Sequence, residues 1–176
     1  MRPLSGRFRI KQAAAEELLP AARVMARAWR ESFPFSDEVF DRQDQLVGAS
    51  ARRWDEANRR GGYFWVVVDS QAEVEDERLV GLAHSRVSDD ADAPTPLELH
   101  LFYLLDVAKG SGIADRLLEM AIGDAPAHLW VLEGNQRAIG FYERHGFAAD
   151  GGRRRLPDDL GARSNIRMVR GTTEQA

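Results

Sequence analysis

Residues 97–122 read LELHLFYLLDVAKGSGIADRLLEMAI, and no other stretch constrains the fold as much. Residues 97–107 form a long apolar run of strand type, in which Glu98 and His100 share one face through the two-residue period. The end of the stretch has a different period. Ile113, Ala114, Leu117, Leu118, Ala121 and Ile122 are spaced for one face of a helix, which predicts a helix over about 112–123. Between the two lies KGSGIA, residues 109–114, with two glycines and a serine. A strand that passes through so permissive a turn into a helix belongs to a mixed α/β architecture.

The rest of the chain supplies the other layers. RFRIKQA (7–13) alternates as a first strand. Leu18, Ala22, Met25, Ala26 and Trp29 mark a helix with Pro20 in an early turn. Ser36 is placed to cap a second helix that carries Val39, Gln43, Leu46, Val47, Ser50 and Trp54 on one side and ends at Gly61 and Gly62. YFWVVVD (63–69) and RLVGLAHSRV (78–87) read as a hairpin with a longer loop, with Gly81 marking a bulge. AHLWVLE (127–133) is strand-like, and Asn135 caps a helix with Ala138, Phe141, Tyr142 and His145 on one face. FAAD and NIRMVR (165–170) are late strands, with Arg153, Arg154 and Arg155 in the loop between them. The order is β α α β β β α β α β β.

Length and composition bound the class. The 176 residues suit one domain over 1–176. With no cysteine there is no disulfide, thiolate metal site or cysteine nucleophile, and a cytoplasmic location is expected. The start, MRPLSGRFRI, has no apolar signal segment, and no run is long enough for a membrane span. A net charge of −4 argues against a general nucleic-acid binder. No His pair has metal spacing, so no metal is expected.

The glycine turn has a chemical reading beside the geometric one. The first N–H groups of a helix lack internal partners and carry partial positive charge, so the turn can cradle a phosphate. Lys109 adds a cation. The pattern is not a P-loop, because the Gly-Lys-Ser/Thr ending is absent.

Together with LWVLEGNQRAIGFYERHGFAADG (129–151), the turn resembles the GNAT superfamily of N-acetyltransferases. Gly112 and Ala114 match the family's [Q/R]-x-x-G-x-[G/A], and Lys109 departs from its first position. The segment ELHLFYLLDVAKGSG is similar to the family's E-L-x-x-L-Y-V-x-P-x-x-x-G-x-G, with Leu104 at the valine and Asp106 at the proline. The resemblance implies a mainly antiparallel sheet of six to seven strands with about four helices, splayed between strands four and five. It implies acetyl-CoA as co-substrate, with the pyrophosphate on Lys109, Gly110, Ser111, Gly112, Ile113 and Ala114. Leu104, Asn135 and Ala138 would meet the CoA arm. Tyr142 would protonate the departing sulfur. The implied reaction is direct attack of a primary amine on the thioester in a ternary complex. Glu98 and His100 are candidates to deprotonate the amine, directly or through water, with His84 a further one. The family's acceptor pocket maps to residues 30–60 and 151–164, where no motif names the amine. The implied partner is a small-molecule or peptide amine; a homodimer stays open, and nucleic acid and membrane are not expected. A non-catalytic acyl-CoA-binding or regulatory domain on the same scaffold is the alternative, and a plain interaction domain is the third.

Overall fold

The computed structural model describes residues 6–160 and 163–171. The elements are β1 (Phe8–Gln12), α1 (Leu18–Ser32), α2 (Asp37–Arg59), β2 (Tyr63–Asp69), β3 (Leu79–Val87), β4 (Leu97–Leu104), α3 (Ile113–Ile122), β5 (Ala127–Leu132), α4 (Gln136–Arg144), β6 (Ala148–Arg155) and β7 (Ser164–Arg170). This is the order expected from the periodicities. The seven strands pair in the order β1-β2-β3-β4-β5-β7-β6. β1 is antiparallel to β2, β5 to β7 and β7 to β6, while β4 and β5 are parallel. The parallel pairing joins Leu97–Leu99 to Ala127–Leu129, and β4 continues to Leu104. The sheet is therefore mixed, as the sequence implied. Among the described residues no helix is long and apolar enough to cross a membrane.

The chain divides into two compact units, Met1–His84 with Leu101–Ala121 and Ser85–His100 with Ile122–Ala176. In the first, α1 and α2 pack on one another. Leu18, Ala21 and Ala22 of α1, Phe40 and Trp54 of α2, Phe64, Val66 and Val67 of β2 and Leu117 and Leu118 of α3 are buried. Four consecutive buried residues, Val66–Asp69, show that β2 is covered on both faces, which is why it reads as an unbroken apolar run. Leu46 departs from the expected α2 stripe and is exposed, and Trp29 is half-buried. In the second unit Leu99, Leu129, Val131, Tyr142, Phe147 and Met168 form the core.

Two boundaries differ from the sequence reading. The strand expected over 97–107 stops at Leu104. Leu105 N–H still bonds the Val80 carbonyl at 2.8 Å, and a short 3₁₀ turn, Asp106–Ala108, then takes over. The arginines expected in a loop lie on β6 instead, where Arg153 pairs with Ile166 and Arg155 with Ser164 across an irregularity that follows Ala149. Carboxylates make this tolerable: Arg153 is bonded to Glu133, Arg154 to Asp90 and Arg155 to Asp158.

Gly81 of β3 answers to close approach. A Cβ there would stand 2.5 Å from Leu104 Cδ2 and 3.1 Å from both the Tyr103 carbonyl oxygen and Val67 Cγ2. Gly81→Ala is expected to destabilise the protein by about 1–3 kcal/mol through overpacking. Urea denaturation measures this, and an unchanged midpoint would mean that the strands yield without cost.

Candidate functional site

In the first unit the candidate site is the passage from the end of β4 to α3. It is built by successive tight turns: Ala108 N–H donates to the Leu105 carbonyl at 3.0 Å and Lys109 N–H to the Asp106 carbonyl at 3.1 Å. Gly110 and Gly112 then take φ of 77° and 84°, a region that disfavours side chains. Ser111 Oγ donates to the Ala108 carbonyl at 2.6 Å and accepts from Ile113 N–H at 3.3 Å, so the serine closes the turn onto the helix start. No heavy atom lies within 4 Å of where a Cβ on Gly110 or Gly112 would stand. The backbone is thus open at the N-terminus of α3, and Ala114 sits in that helix's first turn. Leu104, at the end of β4, is buried. Lys109 Nζ lies 2.5 Å from Asp106 Oδ1 and 3.4 Å from Ser32 Oγ.

In the second unit Asn135 caps α4 as expected, its Oδ1 accepting from Ala138 N–H at 3.2 Å. Tyr142 lies two turns further along α4 and is buried. Its ring meets Phe141 and Phe147 edge to face, at 5.4 and 5.8 Å between centroids. This packing fixes where the phenol can point.

Glu98 and His100 of β4 are brought together. Glu98 is buried, its Oε2 accepts from Arg86 Nε at 2.9 Å, and its Oε1 lies 3.4 Å from His100 Nδ1. Burial by itself would raise the Glu98 carboxyl. Hydrogen bonds from His100 and Arg86 outweigh it and bring the pKa down to about 2. Glu98 is therefore an anion whose oxygens only accept, so His100 turns its Nδ1–H toward it. His100 is exposed.

The other histidines have structural partners. His84 stacks on Phe64 at 3.9 Å and donates to the Tyr63 carbonyl at 2.9 Å. His145 bonds the Phe141 carbonyl at 2.9 Å. Thr95 Oγ1 donates to the Leu97 carbonyl at 3.1 Å, so the buried His128 donates from Nδ1 to Thr95 Oγ1 at 2.9 Å. Arg86 and Asp106 are the groups the sequence reading did not assign. Arg86 carried no signal beyond its charge on a neighbouring strand. Asp106 was visible only as a departure from a pattern.

Comparison with known proteins gives a consistent picture. The model of the acetyltransferase (GNAT) family matches residues 22–147. No curated protein matches the sequence significantly. The PaiA N-acetyltransferase from Thermoplasma acidophilum, solved with coenzyme A, is 15% identical with a TM-score of 0.64, over 93% of this chain and 98% of that one. A histone acetyltransferase HPA2 and related acetyltransferase from Corynebacterium glutamicum is 19% identical with a TM-score of 0.66, over 97% and 99%. The ribosomal-protein-S18-alanine N-acetyltransferase from Escherichia coli is 19% identical with a TM-score of 0.61, over 96% and 98%. At these identities the likeness is one of fold.

The ionised Glu98 stabilises the fold above the ordinary carboxylate pKa, and this contribution is lost as pH falls toward about 2. Thermal unfolding of Glu98→Gln is therefore expected to lie below wild type at neutral pH, with the gap closing between about pH 5 and about pH 2. A gap that stays constant with pH would remove the pairing as its cause.

Proposed function

The chain belongs to the GNAT acetyltransferase family, and from that premise we propose that it is an N-acetyltransferase that moves an acetyl group from acetyl-CoA to a primary amine by direct attack in a ternary complex. The observation that carries this reading is the family match, which runs through the glycine turn and all of α4. The residues of the turn fit the co-substrate. Positive φ at Gly110 and Gly112, open space where their Cβ atoms would stand and a helix N-terminus are what a pyrophosphate needs. Backbone groups of residues 109–114 hold it, Lys109 adds charge, and Leu104, Asn135 and Ala138 line the CoA arm. Acetyl-CoA supplies the activated acyl group as a thioester.

The chain's own groups have separate tasks. A backbone N–H near Leu104 stabilises negative charge as it develops on the carbonyl oxygen. Tyr142, whose phenol is protonated at neutral pH in its ordinary range, donates its proton to the departing sulfur as general acid. An alkylammonium acceptor, pKa about 10.4, must lose a proton before it attacks. We assign this to His100, directly or through water. Glu98, already anionic and bonded to Arg86, acts as a positioning residue that orients the His100 ring. The acceptor is a small-molecule or peptide amine. A single domain over residues 1–176, working in the cytoplasm as a monomer or homodimer and without metal, completes the reading.

The absence of cysteine makes the test direct, because a thiol reagent reads only released CoA. With acetyl-CoA and an amine panel, amine-dependent thiol release is expected. Tight binding of acetyl-CoA by calorimetry without turnover on any amine would favour a non-catalytic CoA-binding domain, and no binding at millimolar ligand would end the CoA reading. Tyr142→Phe keeps the ring packing and is expected to lower kcat by at least about tenfold with little change in acetyl-CoA affinity. Equal kcat in the two forms would take Tyr142 out of the acid role.

A further inference from the structure

Two residues at which the glycine turn leaves the family pattern are bonded to each other. Asp106 opens the short 3₁₀ turn and Lys109 caps its end, and the three-residue period brings side chains three apart onto one side. The resulting ion pair, 2.5 Å long, is lopsided in exposure: the lysine side chain is 19% exposed and the aspartate 63%. Lys109 also has Ser32 Oγ of α1 at 3.4 Å. Asp106 has a backbone N–H that the pattern's proline would lack, and it donates to Glu31 Oε2 of α1 at 2.7 Å. The turn thus carries carboxylates close to its cation, with Asp115 in the first turn of α3 as well. Negative charge at this place opposes an anion at the helix N-terminus.

We propose that Asp106 is a built-in competitor for the cradle lysine: its carboxylate occupies on Lys109 the place that a ligand phosphate oxygen takes, so anion binding is an exchange whose strength Asp106 sets. The exposures give the exchange its direction. Lys109 is enclosed between the turn and Ser32, so it stays where the phosphate arrives, while Asp106 can swing out to water. Glu31 does not compete in the same way, because its Oε2 is engaged by the Asp106 N–H, a bond to the backbone that survives loss of the Asp106 charge.

The inference rests on the reading that the turn holds CoA phosphates, so the test pairs acetyl-CoA with inorganic pyrophosphate as a probe of the turn alone. Asp106→Asn keeps the shape and the N–H and removes the charge. Its dissociation constants for both ligands are expected to fall about two- to fivefold, the scale of a partly exposed ion pair. Asp106→Ser should move them the same way, and the gain should vanish in a Lys109→Met background. Unchanged or weaker binding by Asp106→Asn overturns the proposal, as does a gain that survives without the lysine, since Asp106 would then act as a bulk charge. Pyrophosphate binding that tightens as stated while acetyl-CoA binds no form would support the competitor and overturn the cofactor reading. Pyrophosphate bound by none of the forms overturns the competitor.

Discussion

The hydrogen bond from Leu105 N–H to the Val80 carbonyl, 2.8 Å, fixes where β4 ends. Everything around the glycine turn depends on that position. Once the ladder is finished at residue 105, the chain reverses through turns that each span three residues, at Ala108 and Lys109. It then takes positive φ twice, at Gly110 and Gly112, before α3 starts at Ile113. Gly81 lets the strands come close enough for this, since any side chain there would overlap Leu104. A helix begun in this way presents its first N–H groups at the end of a strand that is held by its neighbour. That is the physical basis of the anion site proposed for the turn.

Charge compensation is the second theme. Glu98 is buried yet ionised, because Arg86 and His100 bond both its oxygens. Three successive arginines run along an edge strand, because Glu133, Asp90 and Asp158 each meet one of them. Arg154 also lies over the Trp130 ring at 4.3 Å. The same rule operates at the turn, where Lys109 is paired with Asp106. In each case the charge is placed first by the backbone, and its chemical character is then decided by what stands opposite. For Glu98 the consequence is a group that orients an imidazole; as a free carboxylate it could have taken a proton.

Much of the fold was legible in local sequence. The stripe Ile113, Ala114, Leu117, Leu118, Ala121, Ile122 gave α3 nearly to the residue, and Asn135 was readable as a cap because an N-cap needs only a bond to a residue three places on. The end of β4 was not legible. Leu105 and Val107 are as strand-like as the residues before them, and only the bond to Val80 and the turn at Asp106 show the change. The strand position of Arg153–Arg155 was hidden for a similar reason: an arginine run looks like a solvated loop until its β7 partners and carboxylates are known.

The sequence by itself determined the order of elements, the permissive turn before α3, the cap of α4 and the residues that carry the family resemblance. All of these rest on spacings of two, three or four residues, which the backbone imposes wherever they occur. Only the tertiary structure decided where β4 stops, that Gly81 serves close packing, that Arg86 and His100 keep Glu98 ionised, and that the last turn of α1 touches the glycine turn through Glu31 and Ser32. The contacts made by Gly81, Arg86, Glu31 and Ser32 join residues far apart in the chain. Their energies come from burial and from charges facing each other across elements, and a one-dimensional pattern does not contain them.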